Sequence, residues 1–440
     1  MKQFNKLIEF RQAVYENGLT NAKDAQFELV DALLSNPLIR SFPELSQSVV
    51  FRRKWTSVYE ALRKGKQKRE WLERFFISKV PSTGAKNFSL DGTTWVHTQA
   101  KCLQDLQYVY SPTPAIDGGN IVIGHPYSVL AWIPEKRHSW AQPVTIRRTK
   151  SSQTDVEIGV QQVKLLCKER QKEMKQEFHL IAADGKYGNH CFLGPLKNEL
   201  CGLVVRLRRD RVLYGRPGPY CGRVRPRIHG TRFAFKEPET WSKANTDVKL
   251  EDEQWGTVHL RRWDQLHAKQ DAQTPFSVLL VEVHLERDKP PKGLWLAYQP
   301  PAGQSPDAQQ VKDIWYGYQY RWPVEPSIRF RKQYLNWTLP SFQDSERCDL
   351  WTMLVSIAQW QLFLARELVQ DNPLPWQPKQ EKLTPERVLQ GLGWLLSQIG
   401  TPARPPKARG KSPGWPKGKP RIRKKRYDVV KKTKKKKKTA

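Results

Sequence analysis

Three acidic residues, Asp91, Asp184 and Glu325, stand where carboxylate chemistry could be assembled. Asp91 lies in or at the end of the strand-like run NFSLDGTTWVH. Asp184 closes the apolar run FHLIAAD and leads into the loop GKYGN, and Glu325 falls among helical patterns. Two divalent metals about 4 Å apart, held by such carboxylates, can activate an attacking oxygen and stabilise a leaving one in phosphodiester transfer. Mg2+ suits a hard oxygen shell with few protein ligands. An aspartate at a strand end is common, however, and each of the three taken alone is weak evidence.

The surroundings of Glu325 carry more. In YGYQYRWPVEPSIRFRKQYL, residues Tyr318, Arg321, Glu325 and Lys332 fit the pattern Y-x-x-R-x-x-x-E-x-x-x-x-x-x-K. On a continuous helix these steps of three, four and seven keep the four side chains within an arc of roughly 60°. One face would offer a carboxylate for metal, two cations for phosphate and an aromatic hydroxyl. Arg321 and Glu325 are also an ordinary i, i+4 ion pair, so a salt-bridged helix face is the competing reading. Pro323 and Pro326 interrupt the helix, which predicts Glu325 near the start of a new segment and Tyr318 and Arg321 on the preceding one.

The elements that must position these residues read as follows. Residues 1–84 form a basic helical region, with FELVDALLSN, WTSVYEALRKG and KREWLERFF placing apolar residues three and four apart. It could read DNA or serve as a packing appendage. Residues 85–205 switch to strands, with GGNIVIGHPYSVLAWIP as a strand pair with a turn, a helix over TDVEIGVQQVKLLCKERQKEM, then FHLIAAD and CGLVVRLRR. That succession is α/β: a mixed sheet with flanking helices. Residues 206–290, rich in Arg, Pro and Gly, form a β-rich insertion. Residues 291–340 resume the sheet domain with the glutamate helix, and 341–400 are helical. After Gly400 no core is possible, which predicts a disordered basic tail over 401–440.

The chain has 440 residues and carries 75 Lys and Arg against 43 Asp and Glu, a net charge of +32. Such an imbalance excludes an ordinary small-metabolite enzyme as the default and makes a polyanion the first partner to consider. The tail holds 18 of the basic residues with Asp428 as its lone acid, yet the preceding 400 residues are still +15. Six cysteines without a C-x-x-C pair point to reduced thiols in a cytosolic compartment. His190, Cys191 and Cys201 lie near one another in sequence without zinc-site spacing. The N-terminus lacks the apolar core of a signal peptide, and Leu350 to Ala365 is short for a membrane span.

Taken with the four signature positions, the chain resembles bacterial insertion-sequence DDE transposases of the cut-and-paste branch marked by Tyr-Arg-Glu-Lys. The spacings of 93 residues from Asp91 to Asp184 and 141 from Asp184 to Glu325 leave room for that branch's β-strand insertion. The resemblance covers about residues 85–340 and implies a ribonuclease-H-like core with Asp91, Asp184 and Glu325 binding two Mg2+ ions, Mn2+ being able to substitute. It implies strand cleavage at element ends and strand transfer into target DNA. By the same resemblance Tyr318, Arg321 and Lys332 would grip phosphates, and Trp295, in GLWLAYQPP, matches the aromatic on which related enzymes stack a flipped base. A core tryptophan in a buried strand is the other reading of Trp295. The implied partners are double-stranded DNA with terminal inverted repeats and target DNA, with a homodimer on the DNA, no membrane, and a cytoplasmic, nucleoid-associated location. Leu350 to Val369 could supply the dimer contact or could be core. A catalytically inactive or adapted nucleic-acid-binding protein that keeps the fold is the alternative function. An RNA-binding protein driven by the lysine tail fits the basic body less well.

Overall fold

The computed structural model describes residues 2–36, 41–111, 119–220, 222, 225–284, 293–408, 414, 416–420 and 423–432. Five helices come first: α1 (Lys2–Ala13), α2 (Lys23–Ser35), α3 (Phe42–Leu45), α4 (Thr56–Lys64) and α5 (Arg69–Ser78). Then follow β1 (Lys86–Val96), β2 (Gln107–Tyr110), β3 (Ile121–Ile133), β4 (Gln142–Arg148), α6 (Asp155–Glu169), α7 (Gln171–Gln176), β5 (His179–Ala183), α8 (His190–Leu196) and β6 (Gly202–Arg206). The Arg-rich region supplies β7 (Val212–Tyr214), β8 (Arg232–Ala234), β9 (Thr246–Asp252), β10 (Gly256–Ala268) and β11 (Asp271–His284). The chain closes with β12 (Leu294–Gln299), α9 (Val311–Gln319), α10 (Val324–Gln333), α11 (Ser345–Ala365) and α12 (Pro385–Ile399).

The twelve strands of the described residues form one mixed sheet in the order β2-β3-β1-β5-β6-β12-β11-β10-β7-β8, with β4 paired to β3 and β9 to β10. β1, β5 and β6 run parallel, while the remaining pairings are antiparallel. Side chains alternate between the two faces of the central strands. Leu180, Ala182, Val204, Leu296 and Tyr298 pack with α9 residues Val311, Ile314, Trp315 and Tyr318. Ile181, Ala183, Leu203, Val205 and Ala297 belong instead to the core shared with α6 and α8. Both faces of β5 and β6 are therefore covered, which is why their sequences read as unbroken apolar runs. This is the α/β, ribonuclease-H-like mixed sheet with flanking helices.

One sequence reading changes in detail. GGNIVIGHPYSVLAWIP is not a strand pair with a turn but the single thirteen-residue strand β3. Pro126 is tolerated because its carbonyl accepts from Thr149 N–H at 2.8 Å, on the side where β2 has ended and β4 begins. No ladder bond is lost there to the missing proline N–H. Further along, the β-rich segment after residue 206 joins the same sheet. β10 and β11 extend the same sheet, because β12 pairs with β6 on one side and β11 on the other.

The N-terminal helices pack with the C-terminal ones into a single helical body around α11, whose 21 residues are nearly all buried. Arg11 joins Asp31 at 2.7 Å and reaches the Gly400 carbonyl at 2.9 Å. Of the two readings of Leu350 to Val369, core is the one seen, since α11 is covered within the chain. Order also continues past Gly400: Arg52 donates to the Ala403 carbonyl at 2.7 Å, and Arg404 N–H to Asp24 at 2.9 Å. Among the described tail residues there is no helix or named strand, but Tyr427 and Val430 donate backbone hydrogen bonds to Lys101 and Leu106. That segment lies beside β2. The lysine run from residue 433 lies outside the described residues. No helix among the described residues is long and apolar enough to cross a membrane.

Candidate active site

Parallel pairing of β1 with β5 sets Leu90 opposite Ala183. The next residues on the two chains, Asp91 and Asp184, therefore emerge side by side at a strand spacing of about 4.8 Å. By the alternation of the strands both fall on the face that carries α9 and α10. The loop after Asp184 turns tightly. A Cβ on Gly188 would lie 2.3 Å from the Arg206 carbonyl oxygen, so only glycine lets it pass β6.

Glu325 arrives on the same face from α10. The prolines act as their positions predict. α9 ends at Gln319, residues 320–323 form a tight turn with i→i+3 bonds, and α10 begins at Val324 with Pro323 as its N-cap. Glu325 thus sits in the first turn of α10, where a carboxylate is favoured by the helix dipole. The seating of α10 is fixed by a buried polar network two residues on: Ser327 Oγ donates to the Ala141 carbonyl at 3.0 Å, and Gln359 Nε2 from α11 donates to both, at 2.6 and 2.8 Å. α9 approaches β5 closely at Gly317, where a Cβ would lie 2.0 Å from Leu180.

Arg321, in the turn, joins the carboxylates. It donates to Asp91 Oδ2 at 2.9 Å and to Glu325. Burial pushes the Asp91 carboxyl up to about 6, Arg321 and the Gly92 N–H oppose this, and Asp184 and Glu325 add to it. Burial alone would lower Arg321, but Asp91, Tyr318, Glu325 and Asp184 keep its guanidinium protonated. Tyr318 is buried, and burial raises its hydroxyl above the usual phenol range. Lys332, about two turns further along α10, donates to the Thr94 carbonyl on β1 at 2.9 Å. Burial, with Arg331 nearby, pushes Lys332 down to about 8. Six signature and carboxylate residues (Asp91, Asp184, Tyr318, Arg321, Glu325 and Lys332) therefore surround one region. Three converging carboxylates, one of them resisting ionisation, are a donor set that fits a hard divalent cation.

The cleft beside them, about 770 Å³, is lined by Asp91, Asp184, Lys186 and Lys332, with Asp155 and, from the tail, Lys432. A second depression on the other side of Asp184 is lined by Lys186, Arg206, Arg208, Arg209, Arg211 and Lys236. Sequence reasoning missed Asp155, Lys186 and this arginine run as site residues. RLRRDR directly after a buried strand was the available signal. Asp155 pairs with Lys186, which keeps its carboxyl low despite burial.

Trp295 is placed differently from the other site residues. It is 5 % exposed in β12, and Phe235 stacks on its ring at 4.0 Å and 12° within a cluster of Phe233, Trp241 and Trp263. Its edge borders the arginine depression, but its face is covered. Packing is the role this geometry displays. His190, Cys191 and Cys201 do not converge: Cys191 is exposed, whereas Cys201 is buried with its sulfur 3.5 Å from that of Cys167.

Residues 14–269 match the family model of the DDE superfamily endonucleases, more than half the chain and both aspartates included. The chain belongs to that family. No curated protein matches it significantly. As a DDE superfamily endonuclease it acts on DNA, and the superfamily works with divalent metals. The matched region stops short of Glu325, so the third carboxylate of this DDE endonuclease rests on the geometry of α10 and the turn before it.

Proposed function

We propose that the protein is a divalent-metal-dependent DNA transposase of the Tyr-Arg-Glu-Lys branch, cleaving strands at element ends and transferring them into target DNA. The observation that carries this reading is the pairing of Asp91 and Asp184 on neighbouring parallel strands with Glu325 tied to Asp91 through Arg321. Asp91, Asp184 and Glu325 would hold two ions, with Mg2+ the natural choice for carboxylate oxygen and Mn2+ able to substitute. Bound there, such ions supply a nucleophilic oxygen at neutral pH and neutralise charge on the leaving oxygen.

The chain's own residues do the rest. Arg321 balances the carboxylates in the free protein and is positioned to turn to a substrate phosphate once they are otherwise neutralised. Lys332 offers a point charge to the phosphate backbone from the opposite side of Asp91. Tyr318, held by burial on α9, presents its hydroxyl beside Arg321. Lys186 and the arginines after β6 form a basic track leading away from Asp184, which suits a DNA backbone running past the cut site. A dimer on DNA, with one chain per element end, is part of the proposal.

The test is cleavage of duplex DNA carrying the inverted repeats that flank the coding region, with Mg2+ supplied. The wild-type chain is expected to cut at the repeat boundary, whereas Asp91→Asn binds the same DNA but does not cut. Equal cutting by both would remove the carboxylates from the chemistry. Binding without cutting by the wild-type protein would favour the adapted, inactive DNA-binding protein instead.

A further inference from the structure

A second convergence of ligand atoms lies further along the same face, past the far end of β1 and away from the acidic cluster. β1 and β3 pair with Trp95 opposite His125, so His97, two residues on, shares a face with both. That face packs against α11, which brings Cys348 to the two imidazoles. The three side chains are buried, at 6 %, 0 % and 0 % exposure for His97, His125 and Cys348. One ligand atom from each lies within 4.8 Å of the others. The rings stand 5.0 Å apart at 71°, edge to face rather than stacked.

Their hydrogen bonding is incomplete in a particular way. His125 Nε2 lies 2.9 Å from the Gln104 carbonyl, a contact that needs the proton on Nε2 and leaves Nδ1 as a bare lone pair. That Nδ1 is buried without a hydrogen-bond partner among the described residues, and so is His97 Nε2. A buried imidazole nitrogen can be satisfied by a donor, a proton or a metal. One thiol proton cannot serve two nitrogens. Protonation would place imidazolium charge among buried side chains, which desolvation opposes. A ring N–H fixed by a backbone carbonyl, with the other nitrogen free, is the usual posture of a metal-binding histidine.

We infer that His97, His125 and Cys348 form a zinc site, distinct from the carboxylate site and structural in its role. Two imidazoles and a thiolate are a borderline-soft donor set that selects zinc among common divalent ions and disfavours Mg2+. Tetrahedral coordination at zinc needs ligand atoms about 3.3–3.8 Å apart, so small side-chain rotations from the present spacing suffice. On binding, the Cys348 thiol loses its proton to solvent as the sulfur–zinc bond forms, and the neutral imidazoles lose none. The protein supplies three ligands, and water completes the fourth position. Occupancy would pin the far ends of β1 and β3 to α11, and β1 is the strand that carries Asp91.

The experiment uses the full-length chain without an affinity tag. After dialysis against metal-free buffer, elemental analysis is expected to find about one zinc per chain. Replacement by Co2+ should give a thiolate-to-cobalt charge-transfer band, which carboxylate ligands cannot produce. Cys348→Ser should abolish the band and weaken zinc retention at least ~100-fold. Cys191→Ser, at the exposed cysteine beside His190, should change neither. Wild-type protein that holds no stoichiometric zinc and shows no band on Co2+ addition overturns the site, as does a band that survives Cys348→Ser. Should Cys348→Ser fail to fold, the wild-type band and its loss on adding zinc still decide the question. Failure here leaves the DNA-cleavage reading untouched, since the two sites share no ligand.

Discussion

Arg321 and Asp91, 230 residues apart in the chain, meet in a hydrogen-bonded ion pair of 2.9 Å at the centre of the acidic site. Asp91 is partly buried beside two further carboxylates, and Arg321 is the cation that makes this tolerable. Arg321→Ala should leave the fold intact but lower the cleavage rate about 10²-fold, the usual loss for one positioned charge at a reacting phosphate. Single-turnover cleavage at saturating DNA measures it. A rate unchanged from wild type would reduce Arg321 to a structural counter-ion.

Asp91 also makes a stability prediction. Its folded-state carboxyl is pushed up to about 6, above its ordinary value, so its contribution to stability is complete at low pH and lost as pH rises through about 6. Asp91→Asn should therefore stabilise the metal-free protein at pH 7 by about 1–3 kcal/mol and give no gain near pH 3. Added Mg2+ should raise the melting temperature of wild type and not of the variant. Thermal melts at the two pH values, with and without Mg2+, are the measurement.

Lys332 lies on the ordinary side of neutrality by a narrow margin, pushed down to about 8 by burial. Above that pH the amine is neutral and its attraction for phosphate disappears. DNA affinity should decline between about pH 7.5 and 9, and binding near pH 8.5 should take up protons, because phosphate favours the charged form. Calorimetry in buffers of different ionisation heat reads that uptake directly. Lys332→Arg should make the affinity flat across the range.

Arg331, the neighbour of Lys332, is fully buried, and none of its side-chain nitrogens has a hydrogen-bond partner among the described residues. Its guanidinium lies 5.0 Å from the centre of the Trp337 ring, and burial pushes it down to about 9. An uncompensated buried cation costs stability, whereas its aliphatic stem packs well. Arg331→Met should raise stability by about 1–2 kcal/mol, and Arg331→Ala should lower it by opening a cavity beside Trp337. Denaturant titration distinguishes the two signs. Destabilisation by both variants would show that the charge itself has a partner in solution.

Truncation after residue 408 should weaken DNA binding and reduce the slope of affinity against salt, since fewer counter-ions are released. The cut belongs there and not at Gly400, because Ala403 and Arg404 are bonded to α2 and to the loop before α4. A flatter salt dependence is the expected result, with at most a small fall in melting temperature from the lost Tyr427 and Val430 bonds. Equal slopes for both chains would take the tail out of DNA binding.

Much of the site was legible in the order of residues alone. The strand run that carries Asp91 and the one that ends before Asp184 are short-range patterns of apolar residues, and Pro323 announces the break that puts Glu325 at a helix start. The surplus of lysine and arginine likewise needs no fold to be read as an affinity for polyanions. What local pattern could not supply was pairing across the chain. The parallel register that sets Asp91 beside Asp184 depends on β5 choosing β1 as its neighbour, and that choice is made by the packing of both sheet faces. Trp295 reads equally as a stacking platform or as core until Phe235 is seen against its ring. His97, His125 and Cys348 have no motif spacing at all, because they come from the end of one strand, a second strand and a helix, separated by up to 251 residues. Residue type and local period determined which side chains this protein has to work with. Tertiary packing decided which of them meet, since burial and strand pairing are set by the whole sheet and not by any one segment.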